Sequence, residues 1–192
     1  MLVGFPSLIL AARAGNVVSF PTDTVPALAV QPEYGAKIYH CKQRPPDKPL
    51  ILMAADLQAF TPWIAPGLTI PWEILAKQYW PGALTMVLPA NARVTTGINP
   101  QKTGTIGLRI PHHPSTLSVL QQTGVLATTS ANYSGELPLM TAAEINETFP
   151  DVYVLNGVYH GSGQPSTVII WQDKNWRILR QGSGRFNPGD VL

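Results

Sequence analysis

Six short stretches of the 192-residue chain set small hydroxyls or a cation at the edge of an apolar run. They are PTDT (21–24), KQRPPDKPL (42–50), LRIP (108–111), TTSANYSG (128–135), PSTVI (165–169) and ILRQG (178–182). Arginine offers a planar fork that meets carboxylate or phosphate oxygens two at a time. Hydroxyls and backbone amides in a Ser-Ala-Asn turn can cradle phosphate oxygens. Edges of this kind converge on one cleft when their strands share an open sheet. The inventory suits a small zwitterion bound beside a polyphosphate.

Each stretch also has an ordinary reading. PTDT can be a turn in which Thr and Asp bond their own backbone. KQRPPDKP can be a solvated basic loop, and TTSANYSG a helix entry or Asx-turn. Arg109 and Arg180 can be plain surface. Period two argues for more at Arg109: Thr105, Gly107 and Arg109 share one face of TIGLRIP (105–111), and that face is small and polar for a sheet packed on helices.

Other chemistries lack their motifs. There is no GxxxxGK[ST], no GxGxxG and no GxSxG. The four histidines, His40, His112, His113 and His160, lack HExxH spacing, and the single cysteine, Cys41, excludes both an internal disulfide and a cysteine metal cage. Serine and metal hydrolysis have little support, and no protein-held metal is expected.

The elements that must position these edges follow from periodicity and punctuation. Helices are predicted over 7–14, 33–41, 70–79, 113–124 and 141–149, with a short one near Asp56. Strands are predicted over 16–20, 50–54, 83–89, 105–111, 125–131, 152–157, 166–171 and 176–182, the last two joined by a turn at 172–175. The 19 prolines and 16 glycines are spread along the chain and mark shaped loops between short elements. This pattern predicts an α/β (α+β) fold: a single domain, residues 1–192, with a twisted, largely mixed sheet flanked by helices around a concave cavity.

Composition agrees. Hydrophobic residues make up 45% of the chain, enough for a real core, and charged residues only 12%, so electrostatic effects should be local. A net charge of +2 is no nucleic-acid footprint by itself. The start, MLVGFPSLILAARAG, lacks a basic n-region and runs into Arg13 at helical spacing, so it reads as an amphipathic helix rather than a targeting segment. No apolar run approaches the ~20 residues of a membrane span. The expected location is the cytoplasm, in soluble form.

Taken in order, GNVVSFPTDTV (15–25), KQRPPDKPL, YWPGALTMVLP (79–89), GLRIP (107–111), TTSANYSG and STVI (166–169) resemble the YrdC-like family of threonylcarbamoyl-AMP synthases, over about residues 5–182. The resemblance implies a nucleotidyltransferase that makes L-threonylcarbamoyl-adenylate and pyrophosphate from L-threonine, bicarbonate and ATP. A separate transferase complex then modifies adenosine 37 of tRNA. ATP would be a substrate, with Mg2+ held mainly through its phosphates. Carried over by motif, Thr22, Thr24, Arg109, Ser166 and Thr167 would bind threonine. Lys42, Arg44, Lys48, Thr105, Thr129, Ser130, Asn132 and Arg180 would bind the nucleotide. No residue is expected to act as a nucleophile; positioning and charge neutralisation carry the chemistry. One departure stands out: Pro26-Ala27 follows PTDTV where the family usually has Tyr-Gly, and some relatives place a histidine at Met53. That departure motivates an alternative: a YrdC-like paralogue that binds RNA or nucleotide without synthesis. A further alternative is carbamoyl-adenylate chemistry on another amino acid.

Overall fold

The computed structural model describes residues 1–187. Ten strands form one sheet: β1 (Leu2–Val3), β2 (Val18–Phe20), β3 (Ala27–Val30), β4 (Ile51–Met53), β5 (Leu84–Pro89), β6 (Thr105–Arg109), β7 (Leu126–Ser130), β8 (Tyr153–Leu155), β9 (Thr167–Gln172) and β10 (Asn175–Arg180). Their order is β1-β8-β2-β3-β7-β4-β6-β5-β9-β10. The neighbours β1–β8, β2–β8, β4–β6 and β5–β9 run parallel, and the remaining pairs antiparallel. The sheet is therefore mixed, as predicted.

Among the described residues five α-helices pack on it: α1 (Phe5–Arg13), α2 (Ala36–Lys42), α3 (Trp72–Tyr79), α4 (Pro114–Thr123) and α5 (Ala142–Thr148). Local chemistry sets their ends. Pro6 opens α1, whose Leu8, Ile9, Ala11 and Ala12 are buried. Pro114 starts α4, and Gly124, at φ 77°, stops it. Thr141 and Glu144 form a reciprocal capping box on α5. The turn between β9 and β10 narrows to Asp173-Lys174, at φ 52° and 61°, the left-handed pair of a tight hairpin.

Two strands depart from the sequence reading. β1 is only two residues long, too short for any period to register. β3 is buried at every position, so it lacks the in-out alternation that marks a strand. The short helix near Asp56 is a 3-10 segment, Gln58–Trp63.

The two sheet faces are covered unequally. On one face Leu52, Leu108, Ala127, Met86 and Ile169 join Phe60, Leu75 and Trp72 in a large core. On the other, α1 and α4 lie over Ala27, Ala29, Met53 and Leu126. Ile51, Gly107 and Thr128 stand opposite one another across three adjacent strands. Of the three, Ile51 packs against the margin of the α1 and α4 core. Among the described residues no helix is long and apolar enough to cross a membrane.

Candidate active site

At the margin of the α1 and α4 core that sheet face opens into a cavity of about 760 Å3, well within the roughly 300–1,000 Å3 of ligand sites. Its floor includes Ile51, Met53, Thr128 and Ser130; its walls carry Arg44, Arg109 and Arg180. Floor depth depends on Gly107. A Cβ there would lie 2.7 Å from the Ile51 Cγ2 and 3.4 Å from the Thr85 Cγ2, so any side chain displaces Ile51, which lines the cavity. Gly107→Ala is therefore expected to destabilise the fold by about 1–3 kcal/mol and to weaken ligands of the cavity. Chemical denaturation and ligand titration would check this; wild-type values in both would remove Gly107 from the argument.

Arg109 ends β6 and is 3% exposed. Its Nε donates to the Gly82 carbonyl (3.0 Å), Nη1 to Thr24 Oγ1 (2.8 Å) and Nη2 to Asp23 Oδ1 (2.6 Å). These three bonds use three of its five N–H groups. Burial pulls its pKa down; the Asp23 carboxylate opposes that shift, and Arg180 adds repulsion. Two like charges therefore feel each other across a shared cavity, an arrangement that an anionic ligand relieves.

Arg180 is held by the Ser166 carbonyl, through Nε (3.2 Å) and Nη2 (2.9 Å). The register of β10 shifts between Ile178 and Arg180, and Leu179 and Arg180 both line the cavity, the effect expected of a bulge beside a site. Ser166 Oγ pairs with Thr85 Oγ1 at 2.8 Å.

The loop between α2 and β4 supplies the other cations. Arg44 folds back on it, Nε to Lys48 O (2.8 Å) and Nη2 to Pro49 O (3.0 Å). Lys48 is exposed and lines the cavity with Asp47. Lys42 is different. It is 1% exposed and sits behind the Ser130–Asn132 turn. Its Nζ donates to the Ser130 carbonyl, to Asn132 Oδ1 (2.9 Å) and to Ser130 Oγ (3.2 Å). Burial, then the charges of Arg44 and Lys48, lower its pKa to about 7.

The residues picked out from sequence thus divide. Thr24, Arg109, Ser166, Arg44, Lys48, Thr129, Ser130 and Arg180 meet around one cavity. Five stand outside its lining. Thr22 donates to the Val25 carbonyl (2.7 Å) and pairs with Thr24 (3.0 Å), so it shapes the loop. Thr167 is wholly buried and accepts from Gly182 N (2.9 Å). Lys42 and Asn132 brace the turn. Thr105 lies at the opposite end of β6 from Arg109, paired with Thr103 (2.9 Å); sharing a face did not bring it near, because three residues of extended strand separate them. Sequence reasoning left out Asp23 and Thr85, the partners of Arg109 and Ser166. Asp23 had a signal in PTDT itself; Thr85 had only its place in an apolar strand.

Pro26 also fits. It precedes the first paired residue of β3, Ala27, which stands opposite Phe20 and Ser130. A missing N–H there breaks no rung of either ladder, and the Pro26 carbonyl accepts from Ala131 N (2.8 Å). Among the described residues no group of three or more His, Cys, Asp or Glu could hold a metal ion.

A threonylcarbamoyl-AMP synthase of Bacillus subtilis is 36% identical over 182 residues, covering 88% of this chain and 51% of its own. One of Vibrio campbellii is 34% identical over 186 residues, covering 93% and 98%. The crystal structure of P. abyssi Sua5 complexed with L-threonine superposes with a TM-score of 0.83 at 30% identity, covering 95% of this chain and 56% of that one. The chain thus spans about half the length of the Bacillus relative and of Sua5, and nearly all of the Vibrio one. The Sua5/YciO/YrdC family model, described as "Telomere recombination", matches residues 11–182; with the arginine-lined cavity falling inside that match, the chain belongs to the Sua5/YciO/YrdC family.

Proposed function

We propose that the chain is a threonylcarbamoyl-AMP synthase, a nucleotidyltransferase that uses L-threonine, bicarbonate and ATP. One observation carries the reading: Arg44, Arg109 and Arg180 line a single cavity, in a chain whose relatives bear that name. The lining holds four cations, Arg44, Lys48, Arg109 and Arg180, against one carboxylate, Asp47. That excess suits a triphosphate beside an amino-acid carboxylate.

The chemistry asks little of protein nucleophiles. The threonine amine adds to carbon dioxide derived from bicarbonate, a C–N bond forms, and a proton leaves. A carbamate oxygen then attacks the α-phosphorus as the bond to pyrophosphate breaks. What remains is to orient three substrates and offset phosphate charge. Arg109 takes the threonine carboxylate, with the Thr24 and Ser166 hydroxyls beside it. Arg44 and Lys48 meet the triphosphate, the Thr129–Ser130 strand end accepts phosphate and ribose, and Arg180 completes the nucleotide site. Lys42, Asn132, Thr22 and Thr167 support that lining from behind. The donor set fits Mg2+ brought in on phosphate oxygens and water, with Asp47 the one carboxylate among the described lining residues; the ion would add further neutralisation of phosphate charge. A labile mixed anhydride suits a recessed pocket, and its consumer is a separate transferase acting on adenosine 37 of tRNA in the cytoplasm.

Pyrophosphate release from ATP and Mg2+ tests this. It should require both L-threonine and bicarbonate and should yield a threonylcarbamoyl adenylate. Release that ignores either co-substrate, or ATP binding with no release, would defeat the proposal.

A further inference from the structure

Asp23 lies outside the cavity lining, yet it joins three segments that build the wall. Its Oδ1 accepts from Arg109 Nη2 (2.6 Å) and from the backbone N–H of His112 (3.1 Å). Its own carbonyl accepts from Ser162 N (3.1 Å). The Ser162 segment is wedged close: a Cβ on Gly161 would fall 2.2 Å from the Thr24 carbonyl oxygen. From there the chain runs directly to Pro165 and Ser166, which line the cavity.

We propose that Asp23 is a positioning residue for the amino-acid substrate, an inference that rests on the synthase reading. Each nitrogen of the Arg109 guanidinium is tied to a different partner: Gly82, Thr24 and Asp23. Of these only Asp23 is charged, and its bond is the shortest. Fixed in turn by His112 and Ser162, it stops the planar group from rotating. Because it stands behind the wall, it does not compete with an incoming carboxylate. The fork is therefore aimed before the substrate arrives.

A plain counterion role makes the opposite prediction. If Asp23 only neutralised Arg109, removing its charge would raise the positive field on the cavity and tighten an anionic ligand. Positioning predicts looser binding from the same change, since small misplacements of an orienting group carry large penalties.

The test is calorimetry and steady-state kinetics on wild type, Asp23→Asn, Asp23→Ala and Asp23→Glu, with thermal unfolding of each. Expected are a rise of about tenfold or more in the L-threonine Kd and KM for Asp23→Asn, near-wild-type KM for ATP, and substantial recovery in Asp23→Glu. Asp23→Asn keeps the shape and an acceptor oxygen, so it serves if Asp23→Ala fails to fold. Threonine binding by Asp23→Asn equal to or tighter than wild type overturns the positioning role alone, as does an equal loss for ATP. No threonine binding by wild type overturns both this inference and the synthase reading.

Discussion

Arg109→Ala is expected to weaken L-threonine binding by about 2–3 kcal/mol, roughly 30- to 150-fold, the range of a buried charge-assisted contact. ATP-analogue binding should change far less, because Arg44, Lys48 and Ser130 remain. The residue is 3% exposed and its three protein bonds leave two N–H groups for a ligand. Stability should fall as well, by less than the ~3–5 kcal/mol of a fully buried broken pair, since the Asp23 side chain keeps 16% exposure. Arg109→Lys should not rescue threonine binding: an ammonium on a flexible stem cannot reach Gly82, Thr24 and Asp23 together and still present a fork. Calorimetric titration with L-threonine, with and without a non-hydrolysable ATP analogue, is the measurement. A threonine isotherm for Arg109→Ala that overlays the wild type would remove the carboxylate contact from the account.

Lys42→Met should produce the second large effect, and it is legible through pH. The folded Lys42 has a pKa of about 7 against 10.5 for an ordinary lysine, chiefly through burial and then through Arg44 and Lys48. Between those two values the unfolded chain holds a proton that the folded chain has released. Unfolding there takes up protons, so raising the pH stabilises the fold, with a slope of up to about 1.4 kcal/mol per pH unit for one group. Below about pH 7 both states are protonated and the penalty is constant. Methionine fills similar space without titrating. Wild-type stability minus that of Lys42→Met should therefore rise from pH 7 to pH 10; a difference that stays level would show that Lys42 titrates normally. Taking the difference cancels Tyr39 and Tyr159, whose pKa values burial raises and which act in the opposite sense. Nucleotide affinity should drop in the variant at every pH. Ser130 and Asn132 keep other partners, since Asn132 N donates to Ser130 O (3.2 Å) and Ser130 Oγ to Asn132 Oδ1 (2.6 Å), but the Lys42 Nζ donor that ties both to α2 is gone.

The placement of Lys42 also separates two kinds of cation in KQRPPDKPL. Arg44 and Lys48 line the cavity. Lys42, the last residue of α2, points behind the turn. A basic loop read along the chain gives all three the same apparent role. The C-cap at Gln43, in the left-handed conformation at φ 50°, reverses the chain just there and sends the first lysine to one side and the arginine to the other.

The amino-acid sequence determined the element types, the mixed sheet and the polar edges, because these rest on short-range physics: hydrophobic period, proline and glycine punctuation, and hydroxyls at strand ends. It also carried the motifs from which the family could be read. Tertiary structure alone decided which edges share a chamber and which side chains turn away from it. Asp23 and Arg109 are 86 residues apart, and Thr85 and Ser166 are 81 apart, so no local pattern could pair them. Thr22 and Thr24, two residues apart, differ only in which one the folded loop aims at the arginine. β3 escaped notice for a related reason: burial on both faces erases alternation, and only its neighbours β2 and β7 make Ala27–Val30 a strand.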